Sequence, residues 1–162
     1  MYTHAPPGYS CPLCAIAQRS APESELFAPA DVLYQDSAVL AMIGAFQWPN
    51  NPGNVVVFPS DHFENIYELP LHLTCRIHDL ARGIALTMKA AWGCDGISTR
   101  QHNEPAGNQD VWHYHQHVTP RYVGDDFYAS YAGGKALMPA EKRAAYAAEL
   151  RAHFAKWSPA DA

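Results

Sequence analysis

The stretch His113-Tyr114-His115-Gln116-His117-Val118, with a histidine at every second position and then Thr119-Pro120-Arg121, limits the fold more than any other part of the chain. Side chains of an extended strand alternate between faces, so the spacing predicts a strand that presents its imidazoles on one side, roughly 6.6 Å apart. An imidazole is polar, titrates near neutral pH and fills an apolar layer poorly, so this face predicts a site rather than a core. A metal, a phosphate, water or another imidazole could each partner these rings, and residues elsewhere must decide which.

At 162 residues the chain suits one domain, 1–162, with a real core, and it is too short for a barrel of eight strands and eight helices. A formal charge of -5 argues against nucleic acid or an anionic membrane as a partner through bulk electrostatics, so any anion pocket must be built from local groups. The start, Met1-Tyr2-Thr3-His4-Ala5-Pro6-Pro7-Gly8, lacks the basic end and apolar run of a secretory signal. No stretch approaches the roughly 18 apolar residues of a membrane span. A soluble, cytoplasmic protein is expected. Its cysteines do not make a disulfide scaffold. Cys11 and Cys14 have the spacing of half a zinc site or of two small buried residues, and Cys75 and Cys94 read as buried thiols.

Apolar patterning predicts strands at 32–35 and 39–43 joined by a hairpin at Gln35-Asp36-Ser37, then a loop at Trp48-Pro49-Asn50-Asn51-Pro52-Gly53. The β-branched run at 54–58 reads as a central strand. Leu73, Ile77, Leu80, Ile84, Met88 and Trp92 recur at helical spacing and predict a helix from about 71 to 92, stopped at Gly93. His72 and His78 lie off that stripe and receive no role. A strand at 96–101 and a polar loop at 102–110 lead to the histidine strand. Residues 1–10 read as a loose arm. Residues 124–162 read as an extension with a turn at Gly124-Asp125-Asp126 and a helix from about 139 to 157, burying Leu150, Phe154 and Trp157.

Cys11, Cys14, His62 and His113 form a Cys2His2 set suited to tetrahedral, structural zinc, with no open position for a metal-bound water. That leaves His115 with a histidine on each side. A neutral imidazole with one nitrogen held by a hydrogen bond offers the other as a nucleophile toward phosphorus, with His117 donating to a phosphoryl oxygen or leaving group. Gln109, Asn103 and the backbone around Gly107 supply donors for phosphoryl oxygens. A catalytic metal held by all the strand histidines fits the same spacing, and the residues alone leave both readings open.

The run His113-Tyr114-His115-Gln116-His117-Val118-Thr119-Pro120-Arg121 resembles the motif of the histidine triad (HIT) family. The likeness continues through Ala106-Gly107-Asn108-Gln109-Asp110-Val111-Trp112, through Asn51-Pro52-Gly53-Asn54-Val55-Val56-Val57-Phe58-Pro59 and His62, and back to the Cys11/Cys14 pair. It implies an α+β fold with an antiparallel sheet of about five strands, a long helix and a C-terminal helix, and a homodimer. It also implies a nucleotide substrate whose α-phosphorus is attacked by His115 to give a nucleotidyl-histidine that water resolves, with His117 on the phosphates. In zinc-bearing members the matching ligands fall on Cys11, Cys14, His62 and His113.

The chain departs from the family pattern in several places. Asn54 stands where the family often has a histidine supporting the active site. Gly44 lies where a polar side chain meets the ribose, with Asn50 or Asn51 as substitutes. Tyr114 and Gln116 are more polar than the usual intervening residues. The implied activity is hydrolysis of dinucleoside polyphosphates or related nucleoside phosphates. A nucleoside phosphoramidase and a nucleotide-binding module with little turnover are the alternatives.

Overall fold

The computed structural model describes residues 2–130 and 134–154, so the expected burial of Trp157 lies outside the described residues. In chain order the elements are α1 (Pro12–Ala17), β1 (Val32–Gln35), β2 (Val39–Ile43), β3 (Phe46–Gln47), β4 (Val55–Pro59), α2 (Leu71–Trp92), β5 (Gly96–Gln101), β6 (Gln116–Arg121), α3 (Phe127–Ser130), β7 (Ala136–Leu137) and α4 (Ala140–Phe154). This is an α+β architecture: a five-stranded antiparallel sheet in the order β1-β2-β4-β6-β5, with a long helix and a C-terminal helix.

Local chemistry explains the main elements. The Asp36 carboxylate accepts from the backbone N–H groups of Ala38 and Val39 and so closes the β1–β2 turn. Gly93 ends α2 with φ 60°, a left-handed conformation that glycine adopts without steric cost. Both faces of β2 and β4 are covered by packed side chains. Val39, Ala41, Ile43, Val55 and Val57 pack against Leu73, Ile77, Leu80 and Ile84 of α2 and Leu150 of α4. On the opposite face Leu40, Met42 and Phe58 meet Ile16 and Phe27. Each fully buried Leu or Ile is worth about 1.5–3 kcal/mol, so these two layers fix which face of the sheet is which.

The register then selects the side chains of the second face. Met42 pairs with Val56, Val56 with His117, and His117 with Arg100. Directly paired residues point the same way, so His117 stands on the face away from α2.

The structure corrects several expectations. Only His117 of the three triad histidines lies within a strand, since β6 begins at Gln116. Pro59 ends β4 without an N–H for a further rung, and the Tyr114 N–H donates instead to the Phe63 carbonyl, which draws residues 113–115 away from the ladder. Within the N-terminal segment, Tyr2 and His4 contact the body of the chain. The Glu64 carboxylate accepts from the His4 backbone N–H at 2.6 Å, Asn65 donates to the Tyr2 carbonyl, and the His4 ring stacks on Trp112. Cys94 is buried as expected, but Cys75 is exposed on α2.

Two features of the C-terminal extension left no periodic signal. β7 pairs with β3, Gln47 opposite Ala136 and Phe46 opposite Leu137. Arg143 of α4 is wholly buried with Asp31, donating from Nε to the carboxylate at 3.0 Å and from Nη1 to the Glu25 and Met138 carbonyls.

Candidate functional site

The segment 113–117 serves two adjacent sites. The first is a metal-ligand corner. Cys11 caps α1, and one helical turn brings Cys14 onto the same side, the Cys14 N–H lying 3.4 Å from the Cys11 sulfur. The His113 Nδ1 lies 3.3 Å from Cys11 Sγ and 3.4 Å from Cys14 Sγ, and the His62 Nδ1 lies 3.3 Å from Cys14 Sγ. All four ligand atoms fall within 4.8 Å of one another, the only such cluster of three or more His, Cys, Asp or Glu groups among the described residues.

The donor set fits a borderline-soft divalent ion such as zinc. His113 donates from Nε2–H to the Pro59 carbonyl at 3.0 Å, which leaves Nδ1 as its ligating nitrogen. Burial lowers its pKa to about 4, keeping the ring neutral. Burial, and then the neighbouring Cys11 sulfur, pushes the Cys14 thiol up to about 12. A divalent cation removes that penalty by taking the thiolate as a ligand.

The second site is a cavity of about 460 Å³ on the same face of the sheet. Asn54, His115 and His117 line its polar end, and Ile16, Phe27 and Met42 are among its apolar walls. The His115 Nδ1 lies 2.7 Å from the His113 carbonyl, which can only accept, so Nδ1 carries the proton and Nε2 keeps a free lone pair. The Thr119 hydroxyl donates to Asn54 Oδ1 at 2.9 Å, turning the amide nitrogen toward His117 Nδ1 at 3.3 Å. Asn54 therefore donates to Nδ1, and the proton of His117 sits on Nε2. The rings of His115 and His117 are 5.2 Å apart and nearly perpendicular. Burial lowers the pKa of His115 and takes that of His117 well below the usual imidazole value; for His117 the repulsion that two adjacent imidazolium rings would feel adds to the effect. Both rings are held neutral.

Gly44 also lines the cavity. A Cβ there would stand 3.0 Å from the Asn54 amide nitrogen and 3.2 Å from Val56, so glycine keeps clear the group that orients His117.

The remaining sequence-predicted residues stand elsewhere. Gln109 is buried with its amide engaged by the loop, Nε2 donating to the Glu64 and Val111 carbonyls and Oε1 accepting from the Glu104 N–H. Asn103 accepts from the Ile66 N–H and exchanges hydrogen bonds with Gln101. The Gly107 carbonyl receives the His102 Nδ1–H at 2.7 Å. Asn51 is buried, donating to the Pro120 carbonyl and to Asp125, which is itself paired with Arg121. None of these four lines the cavity. The indole of Trp48 packs edge-on to His117 and tilts against Phe127, while Phe46 lines the cavity.

Sequence reasoning passed over four contributors. His102 brings its ring within 6.2 Å of His117, and its place in the polar loop before the histidines was the available signal. Leu26 and Phe27 line the cavity from a stretch whose composition reads as loop. Lys135 reaches it from the C-terminal extension, where nothing in the local pattern pointed inward.

Known proteins share sequence and fold with this chain. An uncharacterized HIT-like protein of Methanocaldococcus jannaschii is 34% identical over 99 residues, covering 60% of this chain and 73% of that protein. The protein named hit of Bacillus subtilis is 33% identical over 100 residues, covering 61% of this chain and 68% of its own. A zinc-bound histidine triad family protein from Mycobacterium smegmatis shares the fold, with a TM-score of 0.72, 24% identity, and coverage of 91% of this chain and 94% of that one. The HIT domain family model matches residues 25–124, more than half of the sequence and including His115, His117 and Asn54, and so the chain belongs to the HIT family.

Proposed function

We propose that the protein is a nucleotide hydrolase that cleaves dinucleoside polyphosphates or related nucleoside phosphate anhydrides through a nucleotidyl-histidine on His115. One observation carries the reading: His115 has Nδ1 tied to a carbonyl and Nε2 free, beside a His117 whose proton is held on Nε2, at the polar end of a largely apolar cavity. The apolar walls suit a base, and the histidine end suits its α-phosphate.

In the first step the His115 Nε2 lone pair forms a bond to the α-phosphorus, and the bond from phosphorus to the bridging oxygen breaks. The leaving nucleotide or polyphosphate departs as an anion and takes the electron pair. His117 Nε2–H and hydrogen-bond donors nearby stabilise the phosphoryl oxygens. The imidazolium formed keeps its Nδ1–H on the His113 carbonyl. In the second step water attacks phosphorus, the P–N bond breaks with its electrons returning to Nε2, and of the two water protons one stays on the released phosphate and the other passes to solvent.

The Asn54 contact favours an anhydride over a phosphoramidate. An anhydride oxygen leaves as a stable anion. A departing amine needs a proton, and His117, with Nδ1 accepting from an amide, would have to become an imidazolate to give one. Cys11, Cys14, His62 and His113 would hold zinc, which when bound there closes its own coordination and ties the N-terminal segment to the sheet. Gln109, Asn103, Gly107 and Asn51 then act on the nucleotide by shaping the loops around the cavity. Ligating thiols fit the reducing cytoplasm. Exposed Leu71 and Leu86 on α2 support association as a homodimer.

The test is AMP release from diadenosine polyphosphates and from an adenosine phosphoramidate by native protein and His115→Ala, with zinc content followed in both. Turnover of the polyphosphate that is lost in a zinc-retaining variant supports the proposal. Preference for the phosphoramidate moves it to the other branch, and AMP binding without turnover of either substrate makes the protein a binding module.

A further inference from the structure

Lys135 lies outside the stretch matched by the HIT model, yet it lines the same cavity as His115 and His117. Among the described lining residues it is the only lysine or arginine. Other cations nearby are committed elsewhere: the Arg121 guanidinium pairs with Asp125, and that of Arg100 sits over the Phe127 and Tyr128 rings.

The backbone holds Lys135 in place. The residue after it, Ala136, pairs with Gln47; Leu137 pairs with Phe46; and the Met138 N–H donates to the Ala45 carbonyl at 2.9 Å. The buried Arg143 donates to the Met138 carbonyl at 2.6 Å and binds Asp31, which fastens this strap to the body of the sheet. Ala45 and Phe46 themselves line the cavity, so the strap runs along its wall.

Among the described residues the ammonium group has only weak partners. It stands 3.5 Å from a carboxylate oxygen of Asp110, whose side chain is 66% exposed, and 5.7 Å from the centre of the Trp48 ring. An exposed pair of that length contributes little and yields readily to a stronger anion. Lys135 is also close enough for its charge to disfavour the protonated forms of both His115 and His117.

We propose that Lys135 binds the phosphates beyond the one at His115, exchanging Asp110 for the substrate's polyphosphate chain, and that the C-terminal strap thereby sets the preference for substrates with several phosphates. The inference rests on the nucleotide reading above and names a determinant of chain-length specificity within it.

Titration calorimetry of AMP and ATP tests it, using zinc-loaded protein carrying His115→Ala so that nothing is turned over. Lys135→Met should reduce the ratio of ATP to AMP affinity about tenfold, the value of one charge-assisted hydrogen bond. Lys135→Arg should restore most of the ratio, and Asp110→Asn should raise it. A variant that merely loosened the strap would lower both affinities together and leave the ratio unchanged. Binding of both nucleotides with an unchanged ratio in Lys135→Met overturns the inference alone. Failure of the parent protein to bind either nucleotide overturns the nucleotide reading and this inference with it.

Discussion

His113 and His115 are two residues apart and both are buried, yet one belongs to the Cys2His2 cluster and the other lines the cavity. The difference lies in which ring nitrogen a neighbouring carbonyl takes. Pro59 engages Nε2 of His113 and leaves Nδ1 facing two sulfurs, whereas the His113 carbonyl engages Nδ1 of His115 and leaves Nε2 for the cavity. Both rings are kept neutral by burial, so charge does not separate them. Role is set by backbone hydrogen bonding, and a strand that continued smoothly through residue 113 would not provide it.

The sharpest way to break the comparison is to disable each side in turn. His115→Ala should lower turnover at least about 10⁴-fold, as expected for a removed nucleophile, with zinc content and thermal midpoint close to native. Cys11→Ser should do the reverse. It should lose the metal, and with it about 10 °C of Tm, measured by metal analysis and calorimetry. If one variant destroyed both properties to the same extent, the two sites would be one.

A smaller effect is expected from the amide that orients His117. Asn54→Asp replaces a donor with an acceptor at His117 Nδ1, drawing the proton there and baring Nε2. The expected loss in kcat is about 10- to 100-fold, with a fall in Tm from the buried carboxylate, read from steady-state kinetics and thermal unfolding. An unchanged kcat would detach His117's tautomer from catalysis.

Much of this was legible in the chain and some was not. The Cys11, Cys14, His62 and His113 set could be assembled from ligand type and position alone, because few side chains suit soft tetrahedral coordination. Helix α2 followed from its apolar period and the glycine that stops it. The break before Gln116 was hidden because period-two spacing looks the same whether or not the backbone is hydrogen-bonded into a ladder. Gln109 and Asn103 have the chemistry of phosphate ligands, but nothing local reveals that loop backbone engages their amides first. The β3–β7 pair spans two residues on each strand, too few for a periodic signal, and so Lys135 could not be placed. The buried Arg143 sits on a helix whose apolar stripe gives no cue that its partner is Asp31.

The least dramatic prediction concerns the ion pair at the end of β6. The Arg121 guanidinium beside Asp125 holds its carboxyl well below the usual carboxylate range, with Asn51 and two backbone N–H groups adding to it. A group depressed in the folded state stabilises it above the unfolded value, near pH 4, and that contribution fades as pH falls toward the folded value. Asp125→Asn should therefore be less stable than native protein at pH 7. The gap should narrow steadily below about pH 4 in denaturant titrations.

The most direct test of the account is to trap the covalent intermediate. Zinc-loaded protein mixed with a dinucleoside polyphosphate, quenched within a turnover and digested under conditions that preserve phosphorus–nitrogen bonds, should yield a nucleotidyl adduct on the peptide at His115. His115→Ala should keep its zinc and show no adduct. An adduct on another residue, or sustained hydrolysis by the His115→Ala protein, would contradict the assignment of His115 as the nucleophile.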